Sequence, residues 1–365
     1  MSVLDRRQWR SIDWLTILGL FVAAGFGLLV IYSASHAGPT PDLYKGQITR
    51  LLIGLSLLGF VIVFDYHTIV DWAELFYIAI VGLLMYLVLF GGLRAGTSRW
   101  LELGIGTFQP GELAKIAVVI FLAKYLSAVR KDRLGTSEVL ITGLFAGIPL
   151  ILIALQPDLG TAATIAVVYG AMVILAGVRP KLLLIAGFVL VLAVPLGWSF
   201  ALKDYQKERV YSFLDPGRDP KGAGYQSIQS TIAVGAGGFT GKGWLEGTQS
   251  QLQFLPTPHT DFIFAVVAEE FGFVGVMTVI LLYLVITLRS VETARRARDR
   301  LGIYLVFGVL TMFVFQTLYN LSMVAGLVPI KGFPLPLMSY GGSSMLATMV
   351  GFGLILNVRM RRFVN

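Results

Sequence analysis

Asp261, Glu112 and Lys115 are the residues whose types and spacing point most directly to chemistry. Asp261 stands in P-T-P-H-T-D-F-I-F-A-V-V-A-E-E, where a turn becomes a long apolar helix. Pro256 and Pro258 disfavour helix before it, Thr260 is expected to cap the first backbone N–H groups, and the helix dipole favours a carboxylate in the first turn. A carboxylate at such a rim can take a proton from a hydroxyl, and it can equally serve as a plain cap. Glu112 and Lys115 are three residues apart and so share one helix face. The pair either meets a substrate or fixes two helices together. Asp158, in the tight turn Q-P-D, is a weaker acid candidate. Arg50, Arg99, Arg209 and Lys242 are cations suited to a diphosphate, although lipid phosphates would hold them as well. Glu269 and Glu270 fall about two turns inward from Asp261, and one of them is expected to be paired or protonated inside the bundle. His259 is read as shaping the turn.

The elements that must position these residues follow from composition. The 365 residues are 56% hydrophobic and 14% charged, whereas roughly 45 to 50% apolar and 25% charged are typical of soluble domains. The chain is read as an all-α polytopic membrane protein, a single transmembrane domain over 1–365. Apolar runs long enough to cross a bilayer occur at about ten places. They are 14 to 33, 49 to 64, 69 to 90, 110 to 127, 138 to 155, 160 to 177, 181 to 200, 261 to 287, 302 to 322 and 342 to 358. The first, preceded by Arg6, Arg7 and Arg10, is too long for a signal peptide and is read as a retained anchor. Zero cysteines exclude disulfides and thiolate metal sites, and His36, His67 and His259 have no ligand spacing. No basic tract with interleaved aromatics accompanies the net charge of +8, so nucleic acid is not an expected partner.

With both termini in the cytoplasm, seventeen Lys and Arg fall on the inside loops and span ends, against five in the short outside loops. That bias sets the orientation and places Asp261 on the outer face. The segment 201 to 260, between the seventh and eighth helices, is then one long extracytoplasmic loop. Its aromatics and its glycine-rich stretch 235 to 243 mark it as a lid or binding surface rather than a linker. Arg94, Arg99, Glu102 and Trp100 gather in the outside loop 91 to 109. The prolines and glycines of P-I-K-G-F-P-L-P-L-M-S-Y-G-G-S-S forbid regular helix between the last two spans. A re-entrant or packed loop is expected there.

Six motifs combine these residues: F-Q-P-G-E-L-A-K-I-A (108 to 117), Q-P-D-L-G-T (156 to 161), G-A-G-Y-Q-S-I-Q-S (222 to 230), G-K-G-W (241 to 244), H-T-D-F-I-F-A-V-V-A-E-E (259 to 270) and P-L-P-L-M-S-Y-G-G-S (334 to 343). Together they resemble the SEDS family (shape, elongation, division and sporulation) of polytopic peptidoglycan glycosyltransferases. Gly247 to Pro256 is more similar to the rod-shape branch than to the division branch. Gly111 departs from the pattern, which usually has Ser there. The resemblance implies polymerisation of lipid II into glycan strands on the outer face of the bacterial cytoplasmic membrane, during elongation and maintenance of rod shape, with the carboxylate at Asp261 essential. It also implies a class B penicillin-binding protein as the transpeptidase partner. A diphosphate leaving group needs charge stabilisation more than a proton, so one base suffices. Asp261 is assigned that role, with Glu112, Lys115 and Arg99 on the diphosphate side. No tightly bound cofactor is expected, only a loosely held divalent cation, Mg²⁺ or Mn²⁺. A lipid II flippase and a non-catalytic scaffold for the transpeptidase remain open, and the glycosyltransferase reading requires the charged residues to converge on one site.

Overall fold

A backbone in hydrocarbon must satisfy its own N–H and C=O groups, and this chain does so almost wholly with helices. The computed structural model describes residues 11–91, 99–102, 107–129, 133–201, 204–219 and 222–362; Arg6, Arg7, Arg10 and Arg94 lie outside them. The helices are α1 (Trp14–His36), α2 (Leu43–Val63), α3 (Tyr66–Asp71), α4 (Ala73–Phe90), α5 (Pro110–Ala128), α6 (Thr136–Leu155), α7 (Leu159–Leu175) and α8 (Pro180–Leu196). They continue with α9 (Asp204–Leu214), α10 (Ala223–Ala236), α11 (Thr248–Gln251), α12 (Ile263–Arg295), α13 (Arg300–Val324) and α14 (Gly342–Met360). The apolar runs read from the sequence are largely helical, but the run at 69 to 90 crosses from α3 into α4 at Trp72 and that at 181 to 200 passes from α8 into a π-helical turn, Gly197–Ala201. Among the described residues, seven helices are long and apolar enough to cross a membrane: α1, α2, α4, α6, α12, α13 and α14.

The helix α5 fails that measure for a physical reason. It carries Glu112, Lys115 and Lys124, and charges at membrane depth must face protein rather than lipid. Accordingly α5 is buried on nearly every face among α4, α7, α13 and α14. The last helix, α14, is similarly enclosed and packs along α2, while α12 packs against α1 and α13. At the periphery, α8 leaves Leu184, Phe188 and Val191 exposed, the surface expected of a helix facing lipid tails.

Between the spans, three features build the site. A two-stranded antiparallel pair, β1 (Leu101–Glu102) with β2 (Thr107–Phe108), sets Leu101 opposite Phe108 and so brings Arg99 and Trp100 alongside the start of α5. Segment 201–260 folds into α9, α10, α11 and a glycine-rich turn, and Ser230 of α10 donates to the carbonyl of Val324 at 2.9 Å. Residues 325–341 are irregular. They are tied down by Ser339, whose hydroxyl accepts from Leu335 N at 2.8 Å and donates to the carbonyl of Thr260 at 2.6 Å.

One feature has no counterpart in the hydrophobic pattern. Inside α12, Gly272 sits at φ 60°, ψ −157°, so the helix is two helices joined at a kink. The backbone groups freed there pair with the glycine-rich turn. Lys242 N and Gly243 N donate to the carbonyls of Glu269 and Glu270, both at 3.0 Å. Phe273 N and Val274 N donate to the carbonyls of Gly238 and Phe239 at 3.0 and 3.2 Å. A Cβ on Gly241 would collide with the Glu270 carbonyl, and one on Gly272 with the backbone of residues 239–241. Glycine is required on both sides of this splice.

Candidate active site

Asp261 lies two residues before α12 rather than in its first turn, and the N-cap position is Phe262. Thr260 therefore does not cap the helix; its hydroxyl donates to the carbonyl of Thr257 at 3.3 Å. The turn is instead fixed from outside. Asn320 of α13 donates to the Asp261 carbonyl at 2.9 Å and to the Phe333 carbonyl at 2.7 Å, and Tyr340 N donates to the His259 carbonyl at 2.9 Å. His259 packs edge-on against the Tyr340 ring, and burial holds its imidazole below the usual histidine range, consistent with a shaping role. With its main chain held on both sides, Asp261 presents its carboxylate beside Gly332, where an added Cβ would sit 3.6 Å from Oδ2. Burial raises its pKa, and the nearby charges of Arg99 and Arg209 pull it part of the way back.

The carboxylate opens on a cavity of about 200 Å³ whose lining includes Arg99, Gln109, Glu112, Asp158, Asp261, Ser343 and Ser344. A second cavity, of about 300 Å³, shares Arg99, Asp158 and Gly332 with the first and adds Arg209, Tyr319 and Lys331. Asp158 is at the junction. As the N-cap of α7 it accepts from Thr161 N at 3.2 Å and Thr161 Oγ1 at 2.9 Å; Gln109 Nε2 donates to it at 2.7 Å and Arg99 Nη1 stands 3.8 Å away. Gln109 is positioned in turn by Ser343 of α14, whose hydroxyl accepts from its N–H at 2.8 Å. The shared wall therefore ties α5, α7 and α14 to the hairpin.

Behind Glu112, the ammonium of Lys115 is fully buried and donates to its carboxylate at 2.9 Å. The i,i+3 spacing read from the sequence is thus a made ion pair, with Glu112 facing the cavity and Lys115 in the bundle. Arg50 stacks over the Tyr340 ring, 4.4 Å from its centroid, beside Gly342 at the cavity rim. Arg99, Glu112, Asp158 and Asp261 line one cavity, and Arg209 lines its neighbour. Lys242 is elsewhere: its ammonium donates to Glu269 at 2.7 Å. Lys331 was readable in the sequence only as one more outside cation. It lines the larger cavity half-buried, its pKa lowered by burial and then by the charge of Arg209. Among the described residues no group of three His, Cys, Asp or Glu side chains is placed to hold a metal ion.

The two cavities thus combine one raised carboxylate with three cations, Arg99, Arg209 and Lys331. Such a set can take a proton on one side and stabilise anionic oxygens on the other.

Among curated proteins the chain is 39% identical over 349 residues to the peptidoglycan glycosyltransferase MrdB of Escherichia coli (strain K12), covering 95% of this chain and 92% of that one. It is 35% identical to the probable peptidoglycan glycosyltransferase FtsW of Geobacter sp. (strain M18), covering 97% and 98%. Among solved structures it is similar to a chain from work on the structural coordination of polymerization and crosslinking by a peptidoglycan synthase complex (TM-score 0.83, 34% identity, 97% and 99% covered). It is also similar to the crystal structure of Thermus thermophilus rod shape determining protein RodA (TM-score 0.73, 28% identity, 98% and 99% covered). The family model for the FtsW/RodA/SpoVE cell cycle proteins matches residues 13–363, and the chain belongs to that family.

Proposed function

We propose that this multi-pass membrane protein is a peptidoglycan glycosyltransferase that polymerises lipid II, with Asp261 as the general base. The observation that carries this reading is the convergence of Asp261, Arg99, Arg209 and Lys331 on two cavities that share a wall. In the reaction, the 4-hydroxyl of the incoming sugar gives its proton to the Asp261 carboxylate as its oxygen attacks the anomeric carbon of the donor. The bond from that carbon to the undecaprenyl diphosphate breaks, and the electron pair leaves with the diphosphate. An α-linked donor gives a β-linked strand by this single inversion. Arg99, Arg209 and Lys331 would face the leaving diphosphate, where fixed cations stabilise charge as it develops. The diphosphate role expected of Glu112 and Lys115 is revised, because Lys115 is buried behind Glu112 and lines neither cavity: Glu112, backed by Lys115, would face the sugars, and Arg50 would hold Tyr340 at the rim rather than act on the leaving group.

The residues fit a divalent cation that arrives on the diphosphate better than a resident one, because Asp158 is already engaged by Arg99, Gln109 and Thr161. Magnesium binds in this way, through one carboxylate and phosphate oxygens. Bound there, Mg²⁺ or Mn²⁺ would add charge neutralisation at the leaving group.

The site would face outward from the bacterial cytoplasmic membrane. The solved relative whose description couples polymerization to crosslinking supports a class B penicillin-binding protein as partner for this chain. The test is polymerisation of lipid II by the purified protein, with that partner, for wild type and Asp261→Asn. The expected result is glycan strands from the wild type and none from an equally folded variant. Strands from both would remove Asp261 as the base, and transbilayer movement of lipid II without polymer would make the protein a flippase.

A further inference from the structure

The splice inside α12 joins the buried stretch that follows Asp261 to the segment 237–251. The outer part of α12, residues 263–271, ends at Gly272, whose φ of 60° breaks the rigid link to the inner part. A short helix beyond such a break takes its direction from whatever grips it. At its cavity end the grip is Asn320 on Asp261 and Ser339 on Thr260. At its inner end the grip is the segment 237–251.

That second grip centres on Glu269, which is fully buried. Its Oε1 accepts from Lys242 Nζ at 2.7 Å, from Thr248 Oγ1 at 3.1 Å and from Gln249 N at 3.0 Å. Lys242 Nζ also reaches Thr248 Oγ1 at 2.7 Å. A buried carboxylate is stable only when paired and hydrogen-bonded, and these donors all come from one segment, residues 242–249. The neighbouring Glu270 accepts from Ser33 of α1, and Gln251 bridges back to Ser33 at 3.0 and 3.2 Å. Segment 237–251 is therefore clamped to α12 by main chain, by charge and through α1. Glu269 lies eight residues from Asp261, and the six helical steps from Ile263 to Glu269 rise about 9 Å. A tilt at the clamp therefore shifts the carboxylate at the far end.

We propose that Lys242 and Glu269 are positioning residues: their ion pair sets the direction of the outer part of α12 and thereby the reach of Asp261 into the cavity. This rests on the reading of Asp261 as the base, and it gives Lys242 a role away from substrate.

The experiment compares wild type, Asp261→Asn, Lys242→Met and Lys242→Arg in steady-state lipid II polymerisation with the transpeptidase partner, alongside thermal unfolding in detergent. A misplacement on the order of 1 Å costs up to about a hundredfold in rate. Lys242→Met should therefore lower kcat by about ten- to a hundredfold, leave KM within about twofold, and keep a cooperative unfolding transition. Lys242→Arg, which keeps the charge against Glu269, should recover most of the rate. Wild-type kcat in Lys242→Met would overturn the proposal. So would unchanged kcat with raised KM, which would make Lys242 a substrate-binding cation. If Lys242→Met fails to fold, Thr248→Val removes one donor to Glu269 and keeps the charge pair. It should lower kcat about threefold at constant KM, and unchanged kcat would overturn the proposal. Failure of the underlying reading shows separately, as a wild type without polymer or an active Asp261→Asn.

Discussion

The side-chain nitrogen of Asn320 donates to the main-chain carbonyl of Asp261 at 2.9 Å, and Asn320 is wholly buried in α13. The same nitrogen serves the carbonyl of Phe333, so one amide holds together the turn before α12 and the irregular segment before α14. Replacing it with Leu leaves both carbonyls without that donor. An unsatisfied buried polar group costs about 1–3 kcal/mol. Asn320→Leu is therefore expected to lower the unfolding temperature in detergent, and to reduce kcat more than KM because the base loses its seat. A variant with wild-type melting and turnover would show that the turn is held without Asn320.

The acid side of the pH–rate profile reports on Asp261. Burial raises its pKa above the usual Asp value of 3.8, while Arg99 and Arg209 oppose the rise. A general base works as the carboxylate, so activity is present above this raised value and is lost as pH falls through it. Removing a cation that favours the charged form raises the pKa further. Arg209→Gln should therefore move the acidic limb of kcat/KM to higher pH. A limb that stays in place would show that Arg209 does not act on Asp261.

The pair of Glu112 and Lys115 is buried on both sides, with the contact at 2.9 Å. Breaking a buried ion pair from one end is strongly destabilising, about 3–5 kcal/mol, because the other charge stays behind unpaired. Lys115→Met should thus unfold at lower temperature than the double variant Glu112→Gln, Lys115→Met, although the double variant has lost more polar groups. Equal loss in both would mean that Glu112 finds another partner.

How much of this was legible in the sequence depends on the range of the interaction. Hydrophobic run length located the long apolar helices but not α9, α10 and α11 in segment 201–260, and i,i+3 spacing gave the pair of Glu112 and Lys115, because both signals are properties of a single helix. The neighbourhood of Asp261 was visible from its prolines, but the cap expected of Thr260 was not made: α12 starts two residues later and the turn is held by Asn320 and Tyr340, 59 and 79 residues away in sequence. Lys331 and Tyr319 join the cavity only because segment 325–341 folds back over α13. The pairing of Lys242 with Glu269 was hidden because it joins side chains 27 residues apart, on a turn and a helix. A local signal did exist in the glycines of 235–243 and in Gly272, but nothing in the apolar period of α12 marks Gly272 as a break.

The splice at Gly272 also bears on how the chain is made. Insertion of α12 into a membrane puts freed main-chain groups at its break, and such groups need partners. Those partners lie in residues 238–243, only about thirty positions earlier. Synthesis runs from the N-terminus, so the complement to the break leaves the ribosome before the break itself. The interruption can therefore be sealed as α12 emerges, without waiting for α13 and α14.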